Sequence, residues 1–81
     1  MDTEHQLAFE SRLLAFVQTL APARAVVADT PLFEDSVLDS LKMLDLLSFL
    51  EAELGHTVPD DLVVLQNFYS VRVITKTFRS V

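Results

Sequence analysis

Apolar residues recur at helical spacing near the start of the chain. Between Thr3 and Leu20 they fall three or four positions apart and therefore share one face of a helix; they are Phe9, Leu13, Phe16, Val17 and Leu20, with Leu7 and Leu14 at the edge. Thr3 and Gln6 have the spacing of a capping box, which predicts a helix over residues 3–20. The pattern stops at Ala21-Pro22 after barely two heptads, and this favours a core-facing helix over a coiled coil.

A second helix is predicted from residue 39 to Gly55, with a signal at each end. Asp39 and Ser40 both carry short side-chain oxygens that can accept hydrogen bonds from the amides of a first helical turn. Gly55 is the only glycine in the chain and suits a left-handed C-cap. At 100° per residue, one face of this helix is a core stripe: Met43, Leu46, Leu47, Leu50 and Leu54.

The opposite face of the second helix holds Leu41 and Leu44 beside Asp45 and Ser48. Two leucines one turn apart on the solvent side of a helix, next to a serine, predict a docking surface. The alternative for these leucines is a contact between two copies of the chain.

The remaining segments contain few regular patterns. Residues 21–39 form a long connection that Pro22 and Pro31 keep out of a helix, and four apolar side chains are expected to pin it to the core: Val26, Val27, Leu32 and Phe33. After Gly55, Val58 is expected to enter the core. One of Asp60 and Asp61 should cap a short third helix through about residue 65, with Val63, Val64 and Leu65 on its buried side.

The last element is compatible with a strand or a helix. Val71, Val73, Thr75 and Thr77 alternate with other residues, as in a strand. A single strand would leave its backbone unpaired, so a helix capped by Ser70 is predicted instead. Its inward side would be Val71, Ile74 and Phe78, its outward side Arg72, Lys76 and Arg79, and Phe68 would anchor the chain before it.

Composition is consistent with one small helical domain covering residues 1–81. Half of the residues (51%) are apolar, enough for a packed core. The absence of cysteine excludes disulfides, and His5 and His56 are too few and too far apart to predict a metal site. Neither a membrane-spanning run nor a secretory signal is present, so a cytoplasmic protein is expected.

The charge of the chain is unevenly distributed. All 12 acidic residues fall within residues 1–61, and the net charge is −6. Nucleic-acid binding requires a basic surface and is therefore not expected. An acidic surface suits protein partners with basic entrances.

The segment from Leu32 to Leu41 reads LFEDSVLDSL and resembles the attachment motif of the acyl and peptidyl carrier proteins. Three further features strengthen the resemblance, which covers nearly the whole chain: the leucine-rich helix behind the motif, Val58-Pro59-Asp60-Asp61, and the NFYSV sequence at residues 67–71. One departure is Val37-Leu38, since many members have a glycine two positions before the Asp-Ser pair.

This resemblance implies an all-α fold, a four-helix carrier-protein bundle with a long first loop and a short third helix. It implies that Ser40, flanked by Asp39 and Leu41, carries a covalent 4′-phosphopantetheine arm derived from coenzyme A, and that the protein is not an enzyme. The implied partners are a phosphopantetheinyl transferase, an adenylating ligase or acyltransferase, and downstream tailoring or condensing enzymes. From spacing alone, Ser40 would be only a helix N-cap.

The partner surface implied by the resemblance comprises Leu41, Lys42, Leu44, Asp45 and Ser48. Fatty-acid carriers typically have an acidic residue where this chain has Lys42, and this difference argues against a fatty-acid role. The sequences of residues 30–34 (TPLFE) and 66–71 (QNFYSV) look closer to small stand-alone carriers of secondary metabolism, several of which receive an amino acid from a separate adenylating ligase. A fatty-acid or polyketide carrier is the first alternative. The second is a helical adaptor with no prosthetic group, which would bind partners through Leu41 and Leu44.

Overall fold

The computed structural model describes residues 3–78, which form three α-helices, two 3-10 helices and no strand. The α-helices are α1 (Thr3–Leu20), α2 (Ser40–Leu54) and α3 (Val71–Phe78), and the 3-10 helices cover Asp60–Leu62 and Leu65–Phe68. The predicted all-α class is confirmed. The expected fourth α-helix is not found in this range, because 3-10 helices take the place of the short third one. Within residues 3–78, no helix combines the length and apolar character of a membrane span.

The three α-helices bury one shared core. Its fully buried side chains come from the predicted faces of all three helices: Leu13, Val17, Leu46, Leu50, Val71, Ile74 and Phe78. At the α1–α2 contact the rings of Phe16 and Phe49 stack with centroids 4.5 Å apart. Arg12 pairs with Glu53 at 2.7 Å on the same side. The helical periodicity read from the sequence therefore identifies the main packing faces correctly.

The predicted C-terminal helix is confirmed as α3. The Ser70 hydroxyl oxygen accepts a hydrogen bond from the Val73 amide at 3.2 Å, which is the predicted cap. The Thr75 and Thr77 hydroxyls donate to carbonyls one turn earlier, at 2.9 and 2.8 Å, which satisfies these β-branched residues inside a helix. Arg72 and Lys76 are exposed as expected. The prediction for Arg79 lies outside the described residues, as does the predicted capping role of the Thr3 side chain.

The long connection between α1 and α2 is fastened to the start of α3. The Leu32 amide donates to the Tyr69 carbonyl at 2.8 Å, and the Arg72 amide donates to the Ala28 carbonyl at 2.9 Å. Val26 and Leu32 are buried as predicted, and Phe33 is half-buried. The prediction for Val27 is wrong: it is 60% exposed. Val26 takes the inward position, and Val27 lies in the adjacent turn that Thr30 closes by accepting its amide hydrogen at 2.8 Å.

The segment after α2 departs most from the sequence prediction. Val58 is buried as expected, and its amide donates to the Glu51 carboxylate at 3.0 Å. The two aspartates lie inside the first 3-10 helix, and its N-cap, Pro59, offers no side-chain cap. The predicted buried side is wrong for Val64 and Leu65, which are 42% and 70% exposed, whereas Val63 is half-buried against the core. A short 3-10 helix has three residues per turn, so α-helical spacing does not apply.

Candidate functional site

Both ends of α2 are fixed by the residues that the sequence marked. Asp39 is extended (φ −144°, ψ −175°), and its side chain accepts a hydrogen bond from the Lys42 amide at 2.9 Å. At the other end, Gly55 has a left-handed φ of 79°, and its amide donates to the Glu51 carbonyl at 2.9 Å. Asp39 is therefore the N-cap, and Ser40 is the first residue of the helix.

The Ser40 side chain lies exposed at the N-terminus of α2. Its hydroxyl makes no hydrogen bond to any other residue within 3–78, and because Asp39 already caps the helix, the interpretation of Ser40 as the cap is wrong. Unpaired amides and the helix dipole favour negative charge at this end. A phosphodiester on the Ser40 oxygen would therefore sit in a favourable electrostatic environment.

The division of roles between Asp39 and Ser40 predicts different effects on stability. Asp39→Ala should lower the free energy of unfolding by about 1 kcal/mol, since it removes the acceptor for the Lys42 amide. Ser40→Ala, which removes an exposed hydroxyl, should change it by less than about 0.5 kcal/mol. Urea denaturation of the two variants measures the difference. A larger loss for Ser40→Ala than for Asp39→Ala would contradict this assignment of the cap.

An apolar groove with a volume of about 350 Å³ begins at Ser40. We call it the Ser40 groove. Met43, Leu44 and Leu47 of α2 form one wall of the groove. The other wall comes from the segment after the first 3-10 helix, and Phe33 of the long connection also contributes. The full lining is Phe33, Ser40, Met43, Leu44, Leu47, Val63, Val64, Leu65 and Phe68. Apart from Ser40, no residue lining the groove is polar.

The predicted docking face of α2 is exposed. Leu41 is 77% and Leu44 62% exposed, and Asp45 and Ser48 are also exposed. Leu44 belongs to this face and also lines the Ser40 groove. These leucines therefore present apolar surface directly beside the Ser40 hydroxyl.

Lys42 lies away from the Ser40 groove. Phe49 and Glu53 follow Lys42 by seven and eleven positions, so at 100° per residue the three side chains fall within about 20° of one line along α2. Phe49 and Glu53 on this line contact α1, which places Lys42 on the α1 side, where it is half-buried. The predicted partner residues thus extend over more than one side of α2.

One wall of the Ser40 groove was not predicted from the sequence. Val63, Val64 and Leu65 were assigned to a helix core, and Phe68 only to an anchor, yet all four line the Ser40 groove. A run of apolar residues beside Pro59-Asp60-Asp61 was the available signal, but no periodicity indicated which of them face solvent. Within residues 3–78, no cluster of three or more histidine, cysteine or acidic residues could hold a metal ion.

Comparison with protein-family models matches residues 11–76 to the family described as phosphopantetheine attachment site. The match covers more than half of the chain, and this protein belongs to that family. The search of curated proteins and the search of solved structures each returned no match. The resemblance to phosphopantetheine carriers is therefore confirmed at the level of the family.

A domain of this family is a carrier of covalent 4′-phosphopantetheine. Such a domain must meet the transferase that attaches the group and the biosynthetic enzymes that use it. The residues present fit the group: an exposed serine hydroxyl stands at a helix N-terminus suited to a phosphodiester. Beside it the apolar Ser40 groove offers a surface against which an attached chain can lie.

Proposed function

We propose that Ser40 is the attachment residue and that the protein is a carrier, not an enzyme. The observation that supports this most is the Ser40 hydroxyl itself, which is exposed at the start of α2 with no hydrogen bond to another residue in 3–78. Asp39 performs the capping, so the hydroxyl is available to a transferase without loss of the helix end. Asp39 and Leu41 complete the attachment motif on either side.

The attachment step needs little from the carrier. The Ser40 oxygen loses its proton to the transferase and forms a bond to the pantetheine-bearing phosphorus of coenzyme A, and the adenosine 3′,5′-bisphosphate portion leaves. The amides of the first turn of α2 then stabilise the phosphodiester. The attached group supplies a thiol that holds a cargo as a thioester. Met43, Leu44 and Leu47 offer apolar surface that shields such a chain from water.

The proposed cargo is an amino-acid-derived acyl group of secondary metabolism, loaded by a separate adenylating ligase and used by tailoring or condensing enzymes. Support comes from Lys42, which interrupts the acidic strip of α2 where fatty-acid carriers are typically acidic. A fatty-acid or polyketide cargo is the alternative. The protein is proposed to act as a cytoplasmic carrier, and its first docking face is Leu41, Leu44, Asp45 and Ser48, with Lys42 at the rim.

The experiment that tests the proposal is an intact mass measurement. Native protein treated with a promiscuous phosphopantetheinyl transferase and coenzyme A should gain the mass of one phosphopantetheine. A native protein that is never modified would contradict the carrier function. That result would favour the alternative function, a helical adaptor with no prosthetic group that binds partners through Leu41 and Leu44.

Lys42→Glu should alter the choice of partner. Lys42 is half-buried at the rim of the docking face, and a charge at an interface rim acts mainly on encounter rate and on rejection of wrong partners. Loading of the thiol by a cognate adenylating ligase should slow up to about fivefold at low salt, where screening is weak. Loading by a fatty-acid acyltransferase should improve, since an acidic residue restores the acidic strip.

The matched control for Lys42 is Lys76→Glu, which makes the same change of charge on the exposed side of α3. Thioester formation is measured for native protein and both variants at low and high salt. If Lys42→Glu and Lys76→Glu give equal rates with each enzyme, Lys42 has no specific role in partner choice.

A further inference from the structure

Large exposed apolar side chains concentrate at one region of the molecule. Seven such side chains occur in residues 3–78, and five of them lie on α2 beside Ser40 or in the segment from residue 64 to 69. Leu41 and Leu44 belong to the docking face already described. The other three, Val64, Leu65 and Tyr69, form a surface on the far side of the Ser40 groove. Exposed apolar surface of this kind marks a site of interaction.

A second groove of about 290 Å³ runs through this surface. We call it the Tyr69 groove; its lining is Phe33, Glu34, Leu65, Gln66 and Tyr69. Phe33 and Leu65 line both grooves, so the Tyr69 groove adjoins the Ser40 groove. A cavity of about 150 Å³ can hold a benzene ring. The Tyr69 groove therefore has room for an apolar or aromatic side chain.

The walls of the Tyr69 groove are held by hydrogen bonds to the rest of the protein. The Leu32 amide, next to Phe33, donates to the Tyr69 carbonyl at 2.8 Å. The Asn67 side-chain amide donates to the Leu62 carbonyl at 2.9 Å, and the Asn67 backbone amide donates to the Val64 carbonyl at 3.0 Å. A surface arranged in advance loses little conformational entropy when a partner binds.

The rim of the Tyr69 groove is acidic. Glu34 is the only charged residue of its lining, and Asp35 follows it in the chain. Both are exposed, and neither forms an ion pair with a residue in 3–78. The arginines at positions 12 and 72 are paired with Glu53 and Asp29 instead. The charge of this rim is thus complementary to an arginine or lysine of a partner.

We propose that the Tyr69 groove is a second docking site for the phosphopantetheinyl transferase. One apolar or aromatic side chain of the enzyme enters between Leu65 and Tyr69, and a neighbouring basic side chain pairs with Glu34. Because the two grooves adjoin, an enzyme seated in the Tyr69 groove lies close to the Ser40 groove and its serine hydroxyl. This inference rests on the proposed function, because it assumes that Ser40 is the residue modified.

The test is the steady-state kinetics of modification with a promiscuous transferase and coenzyme A, followed by mass. Leu65→Ser should raise the KM for the carrier about tenfold with kcat within about twofold, because apolar docking surface is lost without change at Ser40. Glu34→Gln should raise KM about threefold at low salt and less at high salt. Leu7→Ser is the matched control, since Leu7 is 60% exposed on α1 and should leave both constants unchanged.

Three results would overturn the inference. Equal KM values for Leu65→Ser and Leu7→Ser would show that the Tyr69 groove is not a docking site. A fall in kcat without a change in KM would place the effect at the reacting hydroxyl. A native dimer that becomes monomeric in Leu65→Ser during sedimentation would show that a second copy of the chain occupies the groove. Failure of the proposed function is distinguishable, since the native protein itself would then gain no mass.

Discussion

Ser40→Ala is expected to gain no phosphopantetheine while the native protein gains one. The alanine removes the only proposed nucleophilic oxygen, and no other residue can replace it at the start of α2. The helix should persist, because the Asp39 carboxylate still accepts the hydrogen bond from the Lys42 amide. Intact mass after incubation with transferase and coenzyme A measures modification, and far-UV circular dichroism measures helical content.

Two further serines provide matched controls for Ser40. Ser36 lies four residues before Ser40, and Ser48 lies two turns along α2; both are exposed. Ser36→Ala and Ser48→Ala should each be modified to completion, since neither hydroxyl stands at the helix N-terminus. Modification of Ser40→Ala would contradict the assignment of Ser40 as the attachment residue. Loss of modification in Ser36→Ala or Ser48→Ala would contradict it as well.

Leu50→Ala should destabilise the fold by about 2–5 kcal/mol, the range expected when a core leucine is emptied. Leu50 is fully buried, and its removal leaves a cavity in the core that the three helices share. The free energy of unfolding of a protein domain is only about 5–15 kcal/mol, so the loss of Leu50 removes a large fraction of the stability. Leu44→Ala should cost less than about 1 kcal/mol, because Leu44 is 62% exposed.

Chemical denaturation of Leu50→Ala and Leu44→Ala measures both free energies on one helix with one type of substitution. The comparison separates packing from helix propensity, since both variants replace leucine by alanine within α2. Equal losses in the two variants would mean that the faces of α2 are assigned wrongly.

The helices and their buried faces could be predicted because the chain packs three amphipathic segments together. Periodicity identified Leu13 and Val17 of α1 and Leu46 and Leu50 of α2 as core, and all four are fully buried. The choice of a helix for α3 succeeded because it weighed the unpaired backbone of a lone strand above β-branched propensity. Burial and backbone hydrogen bonding together outweighed local preference in that segment.

The far wall of the site could not be predicted. Residues 60–68 contain two short 3-10 helices and the two-residue link between them, and in this segment no α-helical period relates sequence to burial. Val64 and Leu65 were therefore assigned to the core although they are exposed. The same limit concealed the Tyr69 groove, whose lining comes from two segments about thirty residues apart in the chain.

The division of labour at the start of α2 was also beyond the sequence. Asp39 and Ser40 are both good N-cap residues, and residue preference does not distinguish them. The extended backbone of Asp39 and its bond to the Lys42 amide assign the cap to the aspartate. Because the cap is assigned in this way, the serine hydroxyl stays available for chemistry.

Fragmentation of the modified native protein by mass spectrometry identifies the residue that carries the phosphopantetheine. After treatment with transferase and coenzyme A, we expect every fragment that contains Ser40 to carry the added mass of one phosphopantetheine. Fragments that lack Ser40 should show no added mass. An adduct on Ser36, on Ser48 or on any other residue would show that Ser40 is not the attachment residue.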